Sequence, residues 1–155
     1  MPVRFGMLAL AMLYISVGVW AADDPLMGTW KLNLAKSKYD PGPAPRSTIN
    51  KYEPAGDGVK FTQDVVDALG RSTHVEYIAK YDGKEYSSSG DPDRDTVSWK
   101  PRTDPYVNDG TIKKGGKVIA TFHRAVSKDG KTMTVTVKGT KNGQEYTEVH
   151  VFDRQ

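Results

Sequence analysis

Three histidines have the side chains best suited to metal or acid–base chemistry in this sequence. They are His74, His123 and His150, and three imidazoles can hold a zinc ion with a fourth position left open. Glu76 follows His74 by two residues, and Glu148 precedes His150 by two. In a strand, residues two apart lie on the same face, so each glutamate could assist its histidine in holding a metal. None of these spacings is a recognised ligand motif, and the sequence therefore predicts no metal site.

An acidic run and a serine run are the other candidate sites. Asp91-Pro92-Asp93-Arg94-Asp95 alternates carboxylates, but a helix-loop-helix calcium loop needs glycine and glutamate where this chain has Thr96 and Arg102. The serine run 87–90 is typical of a loop, and the chain has no cysteine that could act as a nucleophile.

We predict no catalytic residue and no cofactor, and a protein that is not an enzyme. A metal-dependent enzyme that uses the strand histidines stays as an alternative.

Turn dipeptides indicate that strands position these residues. Glycine, asparagine and aspartate accept the positive φ of tight hairpin turns, and such pairs recur at 57–58, 82–83, 115–116, 129–130 and 142–143. The segments between them alternate apolar and polar residues, which predicts strands rather than helices. About ten strands are expected, at 28–34, 48–53, 58–66, 72–81, 84–88, 95–100, 106–113, 117–126, 131–139 and 144–152.

The spacing of the last turns favours an up-and-down arrangement. Strands of this length, joined by two-residue turns, would leave long unpaired edges unless the sheet closes on itself. The prediction is an all-β protein, an antiparallel up-and-down meander closed into a barrel of 8–10 strands. A β-sandwich is the alternative. In a barrel, His123 and His150 would lie two strands apart and could approach each other across the interior.

The first 21 residues have the composition of a secretory signal peptide. Arg4 gives a basic start, residues 5–20 carry no charge, and Val19 and Ala21 suit cleavage after Ala21. The apolar run is shorter than the roughly 20 residues that a membrane span needs. We expect a signal peptide over 1–21 and an exported domain over 22–155, periplasmic or secreted from a bacterium, with no membrane span after cleavage.

The charge distribution disfavours nucleic acid as a partner. The formal net charge is +3 at pH 7, and the lysines are scattered among acidic residues. The densest basic cluster, at 113–117, contains two glycines and is typical of a turn, whereas nucleic-acid binding needs a contiguous basic face. We expect a monomer whose partner is a small molecule.

Gly28 and Trp30 form a Gly-x-Trp motif at the start of the first predicted strand. In a small all-β chain this motif resembles the lipocalin (calycin) signature. The segments GTWKLNLAKSKYDPGPAPRS, YDGKEY, DTVSWK, TIKKGGKVIAT and VSKDGKTMTV together resemble a group of small bacterial exported lipocalin-like proteins, mostly uncharacterised. The resemblance implies that the tryptophan lies across the closed end of the barrel under a basic side chain. Arg154 is the first candidate for that side chain and Arg124 the second.

A proline-rich tract, residues 40–45, follows the first strand. Its three prolines favour a stiff, extended backbone. In lipocalins the loop after the first strand crosses the open mouth, so the resemblance implies that residues 35–47 form a lid with Tyr39 reaching inward. A rigid connector that keeps the strand end from pairing is the other interpretation.

Aromatic residues on the strands suggest a ligand. Several predicted strand faces mix aromatic residues, histidine and threonine, which is compatible with a cavity inside the barrel. The residues expected to bind a ligand are Tyr39, Tyr77, Tyr81, Trp99 and Phe122. We therefore predict an exported barrel that binds or carries a small hydrophobic or amphipathic molecule without chemistry. A filled-barrel envelope protein that acts through protein–protein contacts is the alternative.

Overall fold

The computed structural model describes residues 24–155, and the predicted signal peptide over 1–21 lies outside them. All ten predicted strands are present, with ends that differ from the prediction by at most two residues. A short 3-10 turn, Leu34–Lys36, follows the first strand. The strands are β1 (Gly28–Leu32), β2 (Ser47–Ala55), β3 (Gly58–Val66), β4 (Ser72–Ala79), β5 (Glu85–Ser87), β6 (Thr96–Trp99), β7 (Val107–Lys114), β8 (Lys117–Val126), β9 (Thr132–Lys141) and β10 (Gln144–Arg154).

The ten strands form a single antiparallel sheet that curls into a nearly closed barrel. Their order is β4-β3-β2-β1-β10-β9-β8-β7-β6-β5, so chain neighbours pair and β1 joins β10. The end strand β4 meets the chain just after β5 at a bridge in which Glu76 and Ser89 exchange backbone hydrogen bonds of 3.1 and 3.0 Å. The predicted all-β barrel is confirmed, and the sandwich alternative is wrong.

Turns set the pairing of the strands, and four of the five predicted dipeptides contain a glycine with positive φ. Between β2 and β3 the turn is Gly56-Asp57, one residue before the predicted pair. In the turn between β9 and β10, Asn142 has φ 51° and Gly143 has φ 76°. Two successive positive φ angles are those of a type I′ turn, whose twist matches that of the flanking strands. The turn places Lys141 opposite Gln144, and the ladder continues without a break to Asp153.

The up-and-down order gives the barrel two distinct ends. The connections after β1, β3, β5, β7 and β9 lie at one end, which we call the mouth, and those after β2, β4, β6 and β8 lie at the other, the floor. Among residues 24–155, no helix has the length and hydropathy needed to cross a membrane.

Trp30 lies at the floor, and Arg154 packs on it. The indole is fully buried, and its Nε1 donates a 2.9 Å hydrogen bond to the carbonyl of Leu26. The guanidinium carbon of Arg154 lies 4.1 Å from the centroid of the Trp30 ring, in cation–π geometry. Gly28 leaves room for this guanidinium, because a Cβ there would lie 2.6 Å from Nη1 of Arg154.

Arg154 also fixes the segment that precedes β1. Its Nη1 and Nη2 donate 2.6 Å hydrogen bonds to the carbonyls of Met27 and Pro25, and its Nε donates one to the carbonyl of Gly130. Arg102 holds the start of the same segment through an ion pair with Asp24. The floor is therefore built by two arginines that bind the chain across the end of the barrel.

Candidate functional site

A cavity of about 550 Å³ opens at the mouth and extends into the barrel. Buried side chains of the core line its inner part, among them Phe61, Tyr77, Phe122, Val135 and Phe152. Charged and polar side chains from the mouth connections line its outer part, among them Asp91, Asp93, Arg94, Lys114, Lys141 and Asn142. The inner part of the cavity thus combines apolar side chains with the buried polar residues Asn50 and Arg124, and the opening is polar.

Arg124 is the charged residue of the inner part. It is 6% exposed, lies on β8 and is aligned with Asn108 of β7 and Val135 of β9. Its Nη1 donates a 2.5 Å hydrogen bond to Oδ1 of Asn108, and its Nη2 donates one of 3.3 Å to the hydroxyl of Tyr77. Its guanidinium carbon lies 4.1 Å from the centroid of the Phe122 ring, so aromatic faces support part of the charge.

No carboxylate compensates the charge of Arg124. None of the ion pairs formed within residues 24–155 includes it. Burial raises the pKa of the Tyr52 hydroxyl well above its usual value, against the opposing effect of Arg124. Burial likewise raises the pKa of Tyr81 to about 12. Both tyrosines are therefore neutral at physiological pH.

Buried donors without partners surround this guanidinium. Within the described chain, the hydroxyl of Tyr52 and Nε1 of Trp99 are buried and have no hydrogen-bond partner. The ring centroids of these two residues lie 5.4 and 5.0 Å from the guanidinium carbon of Arg124. A buried donor without a partner costs free energy, so these groups favour an acceptor in this part of the barrel.

Glu148 and His150 of β10 also line the cavity. Nε2 of His150 lies 2.9 Å from Oε2 of Glu148, and the ring of Tyr39 stacks on the imidazole with centroids 4.6 Å apart. Burial, and secondly the Glu148 charge, raise the pKa of Tyr39 well above its usual value. Tyr39 therefore supports the rim as a neutral aromatic ring.

The chain between β1 and β2 lies along β10. Lys38 forms a bridge with Val149, and the backbone N–H of Asn33 donates a 2.7 Å hydrogen bond to the carbonyl of Val151. No residue of 35–47 lines the cavity. In this structure the segment is a connector fixed to the outside of the opening, and Tyr39 reaches His150 rather than the cavity itself.

The five residues predicted to bind a ligand occupy three different places. Tyr77 and Phe122 line the cavity. Trp99 and Tyr81 do not line it, and their rings pack against each other with centroids 5.0 Å apart. Tyr39 lies behind His150 at the rim. Ligand binding by these five residues stays a prediction.

Sequence reasoning missed Arg124 as a cavity residue. The sequence suggests it only as the second candidate to pack on Trp30, a position that Arg154 occupies. The signal was present in the strand pattern, because position 124 continues the inward series of Ala120 and Phe122. A charged residue in an otherwise apolar inward series is the feature that could have identified it.

The histidines do not meet inside the barrel. His123 lies between the inward residues Phe122 and Arg124, so it points outward, where its Nδ1 lies 2.7 Å from Oδ1 of Asp109. His74 is also exposed, with Nδ1 2.6 Å from Oδ1 of Asp64. The expectation that His123 and His150 approach across the interior is wrong. In the described part of the chain, no three potential ligand side chains gather into a metal-binding cluster.

The carboxylates of Asp91 and Asp95, in the acidic run 91–95, form hydrogen bonds and an ion pair with neighbouring residues. Nε of Arg94 donates a 2.9 Å hydrogen bond to Asp91, and the backbone N–H of Gly115 donates one of 2.6 Å to Asp95. Lys114 also pairs with Asp95 at 3.2 Å. These contacts tie the loop after β5 to the turn between β7 and β8, at the rim of the cavity.

Comparisons with known proteins identify the fold. The sequence matches no family model and no curated protein. Among solved structures, zebrafish ileal bile acid-binding protein in complex with cholic acid is similar with a TM-score of 0.52 and 12% identity, over 84% of this chain and 99% of that one. The siderocalin Ex-FABP is similar with a TM-score of 0.35 and 10% identity, over 84% and 74%. The first similarity shows a calycin-like barrel.

Proposed function

We propose that this protein binds one small hydrophobic or amphipathic molecule inside its barrel and carries it without chemical change. The observation that supports the proposal is the cavity of about 550 Å³. Small-molecule sites typically have volumes of about 300–1,000 Å³ and an apolar lining with a few polar groups. The cavity has a volume in that range, and its lining combines aromatic and aliphatic side chains with a larger share of polar residues, which suits an amphipathic ligand.

The apolar inner lining can supply the affinity. Burial of about 300 Å² of apolar ligand surface at about 25 cal/mol per Å² contributes about 7.5 kcal/mol before the entropic cost of association. The zebrafish protein of the same fold was solved with cholic acid. A steroid acid is therefore one amphipathic compound to include among the first ligands tested.

The alternative of a filled barrel has less support. The cavity reaches Phe61 and Phe152 of the core, which favours an interior with room for a ligand. The proposal extends to a location in the periplasm or outside the cell, which the signal-peptide composition of residues 1–21 supports.

A substitution that occupies the cavity tests the proposal. Val135 is buried on β9 and lines the cavity, so the indole of Val135→Trp would take the volume that a ligand needs. We expect wild type to bind the uncharged fluorescent probe N-phenyl-1-naphthylamine with one site per chain. The variant should bind it at least about 10-fold more weakly, a difference of about 1.4 kcal/mol.

Ile49→Trp is the matched control, because Ile49 is exposed on the outer face of β2. It should bind the probe as wild type does. Thermal unfolding would establish that both variants are folded. Absence of saturable binding by wild type, or equal affinity of wild type and folded Val135→Trp, would refute carriage in this cavity.

A further inference from the structure

We infer that Arg124 forms an anion-binding site at the inner end of the cavity, and that the ligand is an organic anion whose charged group enters first. This inference rests on the proposed function, because both concern the same cavity. It adds the chemical class of the ligand and its orientation.

The first support is a buried charge without a counter-charge. Arg124 is 6% exposed and lines the cavity. Its protein partners are the amide of Asn108 and the hydroxyl of Tyr77. An isolated charge in an apolar interior is costly unless an opposite charge pairs with it. A ligand anion would supply the missing partner.

The second support is the number of free donors. A guanidinium carries five N–H donors in a planar fork that suits a carboxylate or a similar oxyanion. The structure uses two of them, toward Asn108 and Tyr77. The guanidinium therefore keeps three N–H donors for an anionic acceptor in the cavity.

The third support is the distribution of charge along the cavity. Apart from Arg124, three carboxylates and three lysine or arginine side chains line the cavity, and their charges balance: Asp91, Asp93, Glu148, Arg94, Lys114 and Lys141. Arg124 is the additional cation, and it lies at the inner end. Charge complementarity therefore favours an anionic group beside Arg124 and the apolar body of the ligand between it and the mouth.

Three ten-carbon compounds with the same chain test the inference: decanoate, decanol and decyltrimethylammonium. Each would displace N-phenyl-1-naphthylamine from wild type at concentrations below micelle formation. We expect decanoate to bind about 10- to 100-fold more tightly than decanol, the range expected for hydrogen bonds to a charged group. Decyltrimethylammonium should bind more weakly than decanol, because its charge has the same sign as that of Arg124.

Variants at Arg124 locate the effect. In Arg124→Met the preference for decanoate over decanol should disappear while decanol still binds, and in Arg124→Lys part of the preference should remain. Lys117→Met is the charge-matched control, because Lys117 is exposed at the mouth and does not line the cavity. It should keep the full preference for decanoate. Binding of the neutral probe by each variant shows that its barrel is intact.

The outcomes separate the inference from the proposed function. Equal binding of all three compounds by wild type, or a full decanoate preference in Arg124→Met, would overturn the anion site while leaving a neutral ligand in the cavity. Failure of wild type to bind the neutral probe or any of the three compounds would instead remove the proposed function itself. If Arg124→Met does not fold, loss of the preference in Arg124→Gln supports the site and its retention overturns it.

Discussion

Replacing Trp30 with alanine should lower the free energy of unfolding by about 3–5 kcal/mol, the range measured when a large aromatic side chain is removed from a packed core. The indole is fully buried at the floor and contacts Arg154 on one face. Its removal also leaves the carbonyl of Leu26 without the hydrogen bond from Nε1. Urea unfolding of wild type and Trp30→Ala, followed by circular dichroism, measures the difference.

Leu69→Ala is the control for this measurement, because Leu69 is a large apolar residue that is 75% exposed at the mouth. It should change the free energy of unfolding by less than about 0.5 kcal/mol. A loss below about 1 kcal/mol in Trp30→Ala would mean that the indole does not hold the floor together.

Replacing Asn108 with aspartate should stabilise the ligand-free protein by about 2–3 kcal/mol at pH 7 and abolish its preference for anionic ligands. Oδ1 of Asn108 already lies 2.5 Å from Nη1 of Arg124. The substitution therefore adds a carboxylate to the buried guanidinium with almost the same shape, and it gives up the long 3.4 Å hydrogen bond from Nδ2 of Asn108 to the carbonyl of Asp109. An opposite charge in this place repays part of the cost of the unpaired cation.

The gain should depend on pH in a defined direction. Arg124 would lower the pKa of the new carboxyl in the folded state below its unfolded value of about 3.9. A lowered pKa contributes stability above the unfolded pKa, and this contribution is lost as the pH falls through the folded pKa. Urea unfolding at pH 7 and pH 3 should show the gain at pH 7 and a smaller one at pH 3.

Asn50→Asp is a control, because Asn50 is also a buried asparagine that lines the cavity but its side chain bonds to Gln63 rather than to an arginine. It should destabilise the protein at pH 7, since it buries a carboxylate without a cation. The account of Arg124 would be wrong if both substitutions destabilised equally, or if Asn108→Asp retained the preference for decanoate.

The strands and their order could be predicted because the local signals agree with one another. Turn pairs such as Asn142-Gly143 require positive φ angles that few residues adopt, and the structure has them there. The strands between the turns alternate, so the long β8 and β10 follow with small errors at their ends. The closed barrel could be predicted from the same pattern. A meander of long strands has unpaired edge strands, and closing the sheet into a barrel pairs them.

The candidate site was harder to predict, because depth along the barrel is not encoded in alternation. Trp99 faces inward as expected, yet it packs against Tyr81 and Tyr77 rather than lining the cavity. His123 and His150 have similar neighbours in sequence but lie on opposite faces. A strand pattern gives the face of a residue, whereas its depth depends on register and strand tilt.

Arg124 shows a different limit. A pattern based on hydrophobicity assigns a charged residue to the outer face, although its neighbours two positions away are inward. When a residue contradicts the hydrophobic pattern of its strand and no packing requirement explains it, a functional role is expected at that position. The burial of Arg124 without a carboxylate is such a place, and it becomes visible only when the partners of the guanidinium are known.

Nuclear Overhauser contacts between a bound probe and methyl groups test the location of the ligand most directly. With methyl-labelled valine and isoleucine, the aromatic protons of N-phenyl-1-naphthylamine should show contacts to the cavity residues Val97, Ile112, Val135 and Val137. They should show none to Ile49 and Ile78, which are exposed on the outside of the barrel. Contacts to Ile49 or Ile78, with none to the four cavity residues, would contradict a ligand inside this barrel.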